Sequence, residues 1–408
     1  MHISSLLRRT LGLKCYKVGK VMETDGTIAA QLIPRKNARP VCSGCGKRRP
    51  GYDTLPERRW RHVPLWGIPV VLTCRPRRVK CPRCGIVVEE MSWSAGKSTL
   101  SAPLIVLLSS YAQLLPWQEV ARLFSVSWNT VAAAVASAVE YGLKHRDTDG
   151  VDAIGIDEIA RRKGHRYLTM VYDLSDMRLL WCGEGRDKAA LRAFFRTSVP
   201  AEKQAIKVIC CDMWQPYIDV VEDEIPQATQ VFDKFHLIKH LSEAVDQVRR
   251  QEARELREKD PEVLKRTRYI FLKNPENLTD KQKVRLADLE KLNLKINRAY
   301  LLKEAFRSLW DYRYPAWAES YLDQWIWWAT HSRLKPMRDF AWMVKRHKEG
   351  ILNYFRARVT NASVEGMNRK AKVVSQKAYG YRTVPTFQTA LYHVMGGLPM
   401  PETTHKFL

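Results

Sequence analysis

Three carboxylates stand in positions where they would act together. Ile154-Gly155-Ile156-Asp157-Glu158 reads as a short apolar strand that ends on an acid, and Val208-Ile209-Cys210-Cys211-Asp212 repeats that pattern. Far downstream, Thr360-Asn361-Ala362-Ser363-Val364-Glu365-Gly366 opens a basic helical stretch with Glu365 in its first turn. Two Asp at the tips of neighbouring strands and one Glu on a packed helix would meet at one point. Three converging carboxylates repel strongly, so such a site calls for a divalent cation. Oxygen ligands suit Mg²⁺ or Mn²⁺.

The helix carrying Glu365 supplies more than an acid. Positions 365, 368, 369 and 372 share a face, which sets Glu365 over Asn368, Arg369 and Lys372. The bland reading is an exposed Glu–Arg pair, worth a few tenths of a kcal/mol. The sharper one is a phosphoryl-transfer surface, with the carboxylate on a metal and the amide and cations on a phosphate. His236, in Asp233-x-x-His236, either lies near that site or caps the helix that follows it.

Metal chemistry of another kind is written near the N-terminus. Cys42-Ser43-Gly44-Cys45-Gly46 and Cys81-Pro82-Arg83-Cys84-Gly85 are each Cys-x-x-Cys followed by Gly. That spacing lets both thiolates face one ion, and two such knuckles across a strand-rich spacer read as a zinc ribbon holding structural Zn²⁺ on Cys42, Cys45, Cys81 and Cys84. The competing reading is four metal-free structural thiols. His62 and Cys74 between the knuckles read as packing residues. From Arg35 to Arg83 there are fourteen Lys or Arg against only Asp53 and Glu57, a balance suited to tracking phosphates. Nine cysteines, four in tight pairs, favour metal in a reducing compartment over a disulfide framework.

The elements that must position these groups follow in order. The 408 residues exceed one small core, and a formal charge of +25 points to a polyanionic partner. No apolar run is long enough to span a bilayer. Arg8 and Arg9 interrupt the N-terminal apolar residues, which argues against a secretion signal. Two strands joined at Asp25-Gly26 precede the ribbon. Leu104, Leu107, Leu108, Tyr111 and Leu115 mark a helix. Pro116 to Phe124, a turn at Ser125-Val126-Ser127, and a helix from Trp128 have helix-turn-helix punctuation. Trp128, Asn129 and Thr130 then stand where a recognition helix meets bases. An ordinary αα-hairpin is the competing reading.

From residue 151 three meandering strands, a helix, a strand, a helix and a strand make a ribonuclease-H-like order, with Asp157 and Asp212 on adjacent strands. Residues 237–355 read as helical, and most of Trp310, Trp317, Trp325, Trp327, Trp328 and Trp342 should be core. The expected fold class is multidomain α+β. Residues 1–95 hold N-terminal strands and zinc ribbon, and 96–148 the helix-turn-helix. Residues 149–236 and 356–400 form a ribonuclease-H-like α/β catalytic core interrupted by an α-helical insertion at 237–355.

Together these stretches resemble the ISL-three family of bacterial insertion-sequence transposases, within the DDE transposase superfamily. The resemblance spans nearly the whole chain: the Cys knuckles, Ser127-Trp128-Asn129-Thr130-Val131, Ile154 to Glu158, Asp212-Met213-Trp214-Gln215-Pro216-Tyr217, Asp233-Lys234-Phe235-His236, Thr360 to Asn368, and Lys377-Ala378-Tyr379-Gly380-Tyr381-Arg382. It implies a catalytic triad of Asp157, Asp212 and Glu365 on Mg²⁺ or Mn²⁺. The implied reactions are hydrolysis that frees a 3′-hydroxyl at the element's end, then strand transfer into target DNA. The implied partners are double-stranded DNA, as terminal inverted repeats and target, and at least a second copy of the chain. The implied place is the cytoplasm, on the nucleoid. Two alternatives remain open: a catalytically silent DNA-binding regulator, and a metal-dependent nuclease without strand transfer.

Overall fold

The computed structural model describes residues 2–94, 96–162, 166–197, 200–258, 260–357 and 362–401. Thr360 and Asn361 of the third acidic stretch, and Lys163 to His165, where the sequence predicts a turn between the first two strands after residue 151, lie outside the described residues. The chain divides into two compact units, residues 1–147 with 373–408, and residues 148–372.

The first unit opens with α1 (Ile3–Thr10), β1 (Tyr16–Thr24) and β2 (Thr27–Pro34). β1 and β2 pair antiparallel around Asp25 and Gly26, whose φ angles of 51° and 67° give the turn that matches strand twist. Next come β3 (Gly51–Thr54), β4 (Arg58–Leu65), β5 (Ile68–Cys74), β6 (Arg77–Cys81) and β7 (Gly85–Val88). They do not form one ribbon. β3, β6 and β7 make a small sheet, whereas β5 pairs parallel with β2 in the order β1-β2-β5-β4. The alternation along β4 and β5 explains the split: Trp60, Val70 and Leu72 are fully buried with Leu32 and Trp93 in a core of their own. The two sheets are tied by Glu89, which receives the Tyr16 hydroxyl and a bidentate Arg77 guanidinium.

Three helices follow: α2 (Ala102–Leu114), α3 (Trp117–Leu123) and α4 (Trp128–His145). Ser101 and Ser127 cap α2 and α4 by accepting from the amides of Leu104 and Thr130. Between α3 and α4 the chain reverses at Ser125 (φ 46°), where Val126 N–H donates to Ala121 O at 2.9 Å.

The second unit begins with β8 (Ala153–Arg162), β9 (Arg166–Asp173), β10 (Arg178–Glu184), α5 (Lys188–Thr197), α6 (Pro200–Ala205), β11 (Val208–Cys211), α7 (Gln215–Glu224) and β12 (Thr229–Phe232). The sheet order is β10-β9-β8-β11-β12. β9 is antiparallel to both its neighbours, and β11 is parallel to β8 and β12. Then come α8 (Lys234–Glu255), α9 (Arg268–Leu272), α10 (Asp280–Glu290), α11 (Lys295–Arg307), α12 (Pro315–His331), α13 (Lys335–Arg346), α14 (Lys348–Ala357) and α15 (Ala362–Lys377). One buried apolar cluster runs from Ile154 and Ile209 of the sheet to Trp325 and Phe340 of the helices. The helical stretch is therefore not a separately cored lobe. α14 already belongs to the sheet's surroundings, because Asn353 Nδ2 donates to Gln230 O of β12 at 2.9 Å.

The expectation that most tryptophans in 237–355 are core is overturned. Trp325 alone of the six is fully buried; Trp317, Trp327, Trp328 and Trp342 are exposed. On α12 the buried residues are Ala318, Leu322, Trp325, Ile326 and Ala329, a stripe of helical spacing that excludes Trp327 and Trp328.

α16 (Val384–Met395) groups with the first unit rather than with the sheet, as does the rest of 373–400. Gln113 Nε2 of α2 donates to His393 O at 3.1 Å, and Gly142 of α4 leaves room for Leu398. The missing side chain at Gly142 allows that approach, since a Cβ there would lie 2.6 Å from Leu398 Cβ.

Candidate functional site

The register of the parallel strands builds the site. Gly155 of β8 pairs with Cys210 of β11. Asp157 and Asp212 each lie two residues beyond that pair, so strand alternation turns them to the same face side by side. Asp157 does not end its strand as the sequence suggested. β8 continues to Arg162 because β9 pairs with it past Asp157, opposite Met170 and then Leu168. What ends near Asp157 is the parallel ladder, which stops at Gly155 and Cys210.

The third acid arrives on α15. An added Cβ at Gly155 would lie 2.5 Å from Val364 Cγ2, so the glycine is what lets this helix close on β8. Val364 is buried and its neighbour Glu365 turns outward to the cleft. That cleft, of about 1070 Å³, is lined by Asp157, Glu158, Asp233, His236, Glu365 and Asn368 together with Arg307 and Trp310 of the helical stretch. Arg369 and Lys372, one turn and two turns along the face from Glu365, line it too.

Hydrogen bonds fix the acids. Asp157 accepts from the Glu158 amide at 2.7 Å and from Asn368 Nδ2 at 2.5 Å. Asn368 Oδ1 in turn accepts the Tyr172 hydroxyl at 2.8 Å. Asp212 accepts from the Met213 amide at 2.6 Å. His236 stands between acids, with Nδ1 2.8 Å from Asp233 Oδ2 and Nε2 3.9 Å from Asp212 Oδ2. Asp233 also caps α8 through the Phe235 amide. His236 is thus both beside the site and on the first turn of that helix. Glu365 is held by Arg369 at 3.0 Å.

Burial raises the Asp157 carboxyl above its ordinary value, opposed by the Glu158 amide, His236 and Asn368. Glu158 is raised in the same way. Burial alone would lower His236. Its hydrogen bond to Asp233 and the charges of Asp212, Asp233 and Asp157 outweigh that and raise it to about 9. The site therefore concentrates negative charge and draws a cation. Asp157 and Asp212 fit a divalent metal as a pair: both are carboxylates two residues beyond the last pair of the parallel ladder, and neither is bonded to a Lys or Arg among the described residues. Glu365 shares the cleft but not a compact ligand group. Among the described residues the four cysteines are the only group of three or more candidate ligands whose donor atoms all lie within 4.8 Å of one another.

In that group, Cys45 and Cys81 Sγ are 3.7 Å apart. A tetrahedron with bonds of about 2.3 Å has edges of about 3.8 Å, so the spacing fits Zn²⁺. Gly46 and Gly85 take left-handed φ of 67° and 75°, which turns the amides inward after each knuckle. Burial would raise Cys81, but the amides of Arg83 and Cys84 and the neighbouring thiols bring it down to about 6. Cys84 is pushed up to about 12, by burial and then by Cys42, Cys81 and Cys45, since further negative charge in that pocket is repelled unless a cation enters. His62 is buried against Ser101 Oγ at 2.8 Å and Cys74 is buried in the neighbouring core, both as packing residues.

The residues placed at a recognition helix behave unequally. Asn129 is exposed. Trp128 leans on Trp117 at 5.5 Å between ring centroids, and the Thr130 hydroxyl is 2.9 Å from Ser127 Oγ. Sequence reasoning did not find Tyr172 or Trp310. Nothing local marks either; the pairing of β9 with β8 brings Tyr172 behind Asn368, and the return of the helical stretch brings Trp310 to the cleft. Asp233 had a signal, an acid directly after a short apolar run.

Residues 154–391 match a transposase family, the ISL3 group of DDE transposases. Residues 38–84 match the zinc finger of the IS204/IS1001/IS1096/IS1165 transposases. The chain is 33% identical over 346 residues to the transposase for insertion sequence element IS1001 of Bordetella parapertussis, covering 84% of this chain and 85% of that one. It is 31% identical over 386 residues to the transposase for insertion sequence element IS1557 of Mycobacterium tuberculosis, covering 88% and 86%. With its zinc-ribbon cysteines gathered and Asp157 and Asp212 just beyond the parallel ladder of β8 and β11, the chain belongs to the ISL3 family of transposases.

Proposed function

We propose that this transposase binds the terminal inverted repeats of an insertion sequence, and that its cleft cleaves DNA there and joins the freed end to target DNA. The observation that carries the reading is the register of β8 against β11, which sets Asp157 and Asp212 side by side under a helix bearing Glu365. The strand order supports a ribonuclease-H-like core, and the Ser125 reversal between α3 and α4 supports a helix-turn-helix. A net charge of +25 supports a nucleic-acid partner, and two DNA ends to be joined call for at least two copies of the chain.

In this reading Asp157, Asp212 and Glu365 hold Mg²⁺ or Mn²⁺, which when bound lowers the pKa of an attacking hydroxyl and stabilises the leaving oxygen. The protein's own groups do the rest. Asn368 keeps the Asp157 carboxylate turned to the cleft. Arg369 and Lys372 face the phosphates flanking the scissile one. His236 offsets the negative charge of Asp212 and Asp233 beside the site.

The test is incubation of the full chain with Mg²⁺ and labelled inverted-repeat DNA. Joined product is expected. Cleavage without joining would make it a nuclease, and tight binding without cleavage would make it a regulator. No helix of the described residues is long and apolar enough to cross a membrane.

A further inference from the structure

The cleft does not stop at the carboxylates. Its floor at Phe235 and Ile238 of α8 is also the floor of a second cleft, of about 620 Å³. The segment 268–274 walls both, with Asn274 on the first and Arg268 and Leu272 on the second. Along α8, Phe235, Ile238, Ser242, Asp246 and Arg250 recur every three or four residues and so form one stripe. From 235 to 250 that stripe is about 22 Å long, the length of roughly six nucleotides stacked at 3.4 Å.

The far end of the stripe is built for anions. Asp246, 5% exposed, is gripped by Arg249 at 2.7 Å, Arg250 at 2.8 Å and Arg268 at 3.5 Å. One buried carboxylate needs one guanidinium for charge balance, and the shielded Arg249 supplies it. Arg250 and Arg268 are the excess: their side chains are 58% and 50% exposed, and the shared acid orients both beside the second cleft. Lys239 adds a third cation to its lining, against one further acid, Glu243, which His240 faces at 3.6 Å. At the junction of the two clefts the Phe235 ring is left 58% exposed. A large apolar ring standing in water beside phosphate-seeking cations is the pattern of a stacking platform on a backbone track. A cleft of this size admits a few nucleotides of one strand and not a duplex.

We propose that the second cleft is a single-strand DNA subsite. The nucleotides flanking the scissile phosphate leave the carboxylates across the Phe235 ring, and their phosphates follow α8 to Lys239, Arg250 and Arg268. This rests on reading the first cleft as DNA-cleaving.

Two measurements test it on the full chain. In the first, inverted-repeat DNA carrying 5-iodouracil at each of the six positions past the repeat end is bound without added Mg²⁺ and irradiated. Adducts are expected at Phe235 for the nearest positions and on α8 or α9 for the farther ones; adducts confined to other segments overturn the subsite. In the second, Lys239→Gln/Arg250→Gln leaves Asp246 with Arg249 and Arg268, and its folding is checked by thermal melting. For the wild type, adding a six-nucleotide flank should lower KM roughly tenfold. In the variant that benefit should vanish, and the salt slope of flank binding should fall by about 1.4, or about 0.7 for each cation removed. A variant that loses affinity equally with and without the flank contradicts the proposal. If the wild type cleaves nothing, the cleavage reading fails, while the cross-links and the salt slope still decide the subsite.

Discussion

Asn368 on α15 donates to the Asp157 carboxylate on β8, and takes the hydroxyl of Tyr172 on β9. This chain of three side chains locks helix to sheet at the point where the acids gather. It also fixes which way the amide faces, since Tyr172 donates to Oδ1 and leaves Nδ2 for Asp157. Asn368→Ala should therefore cut metal-dependent cleavage by about 10–100-fold, the usual cost of losing a group that orients a ligand. Tyr172→Phe should cost less, because Asn368 keeps its bond to Asp157. Cleavage rate and DNA binding, measured together, check this: binding should hold while the rate falls.

Gly155 is the second hinge of the same contact. A methyl there meets Val364 Cγ2 and Leu174 Cδ2 at 2.5 and 2.8 Å, and valine is stiff at χ1. Gly155→Ala should lose about 1–3 kcal/mol of stability to overpacking and should slow cleavage by moving Glu365 away. Adding Val364→Ala should recover part of both losses. Urea unfolding of the two single variants and the double variant reads the coupling; purely additive losses would mean the glycine is there for another reason.

The C-terminal helix gives a pH dependence. His393 is buried with neither ring nitrogen bonded among the described residues, and burial, then Lys377, lowers it to about 4. The folded value lies below the unfolded one of about 6.5, so the stabilising difference is complete above pH 6.5 and is lost as pH falls toward 4. The full difference is roughly 3 kcal/mol. Urea midpoints should drop between pH 7 and pH 4.5, and His393→Phe should flatten that drop.

The four-cysteine cluster should behave as a structural metal site. Chelation, or Cys81→Ser, should unfold the β3-β6-β7 sheet, whose own core is only Cys42, Val79 and Cys81. The β1-β2-β5-β4 sheet should survive, since Trp60 and Trp93 hold a separate core. Loss of amide protection confined to residues 38–54 and 77–88 is the expected hydrogen-exchange result, together with zinc release at about one ion per chain.

Much of this site was legible because its chemistry is local in sequence. An apolar run followed by Asp marked both strand acids, and paired Cys-x-x-Cys-Gly marked the metal cluster. The Asp25-Gly26 turn follows from the backbone preferences of its two residues, and the turn at Ser125-Val126-Ser127 from the readiness of a Ser hydroxyl to accept a helix's first amides. What was not legible depends on distant partners. That β8 runs past Asp157 is decided by β9. That β4 and β5 leave the ribbon is decided by the apolar face of β2. The exposed Trp317, Trp327 and Trp328 misled because composition says nothing about which face of α12 they occupy. Asn368 shows its helix face in the sequence, but its bonds to Asp157 and Tyr172 come from strands about two hundred residues away.

The most direct test compares amide substitutions of the cleft acids side by side. Asp157→Asn, Asp212→Asn and Glu365→Gln are set against Glu304→Gln and Asp311→Asn, which line the cleft together with Asp157 and Glu365. Each is assayed with Mg²⁺ on labelled inverted-repeat DNA, with binding measured in parallel. The first three should abolish cleavage with DNA affinity retained, and the last two should still cleave. Cleavage that survives loss of Asp157 or Asp212 would contradict the account.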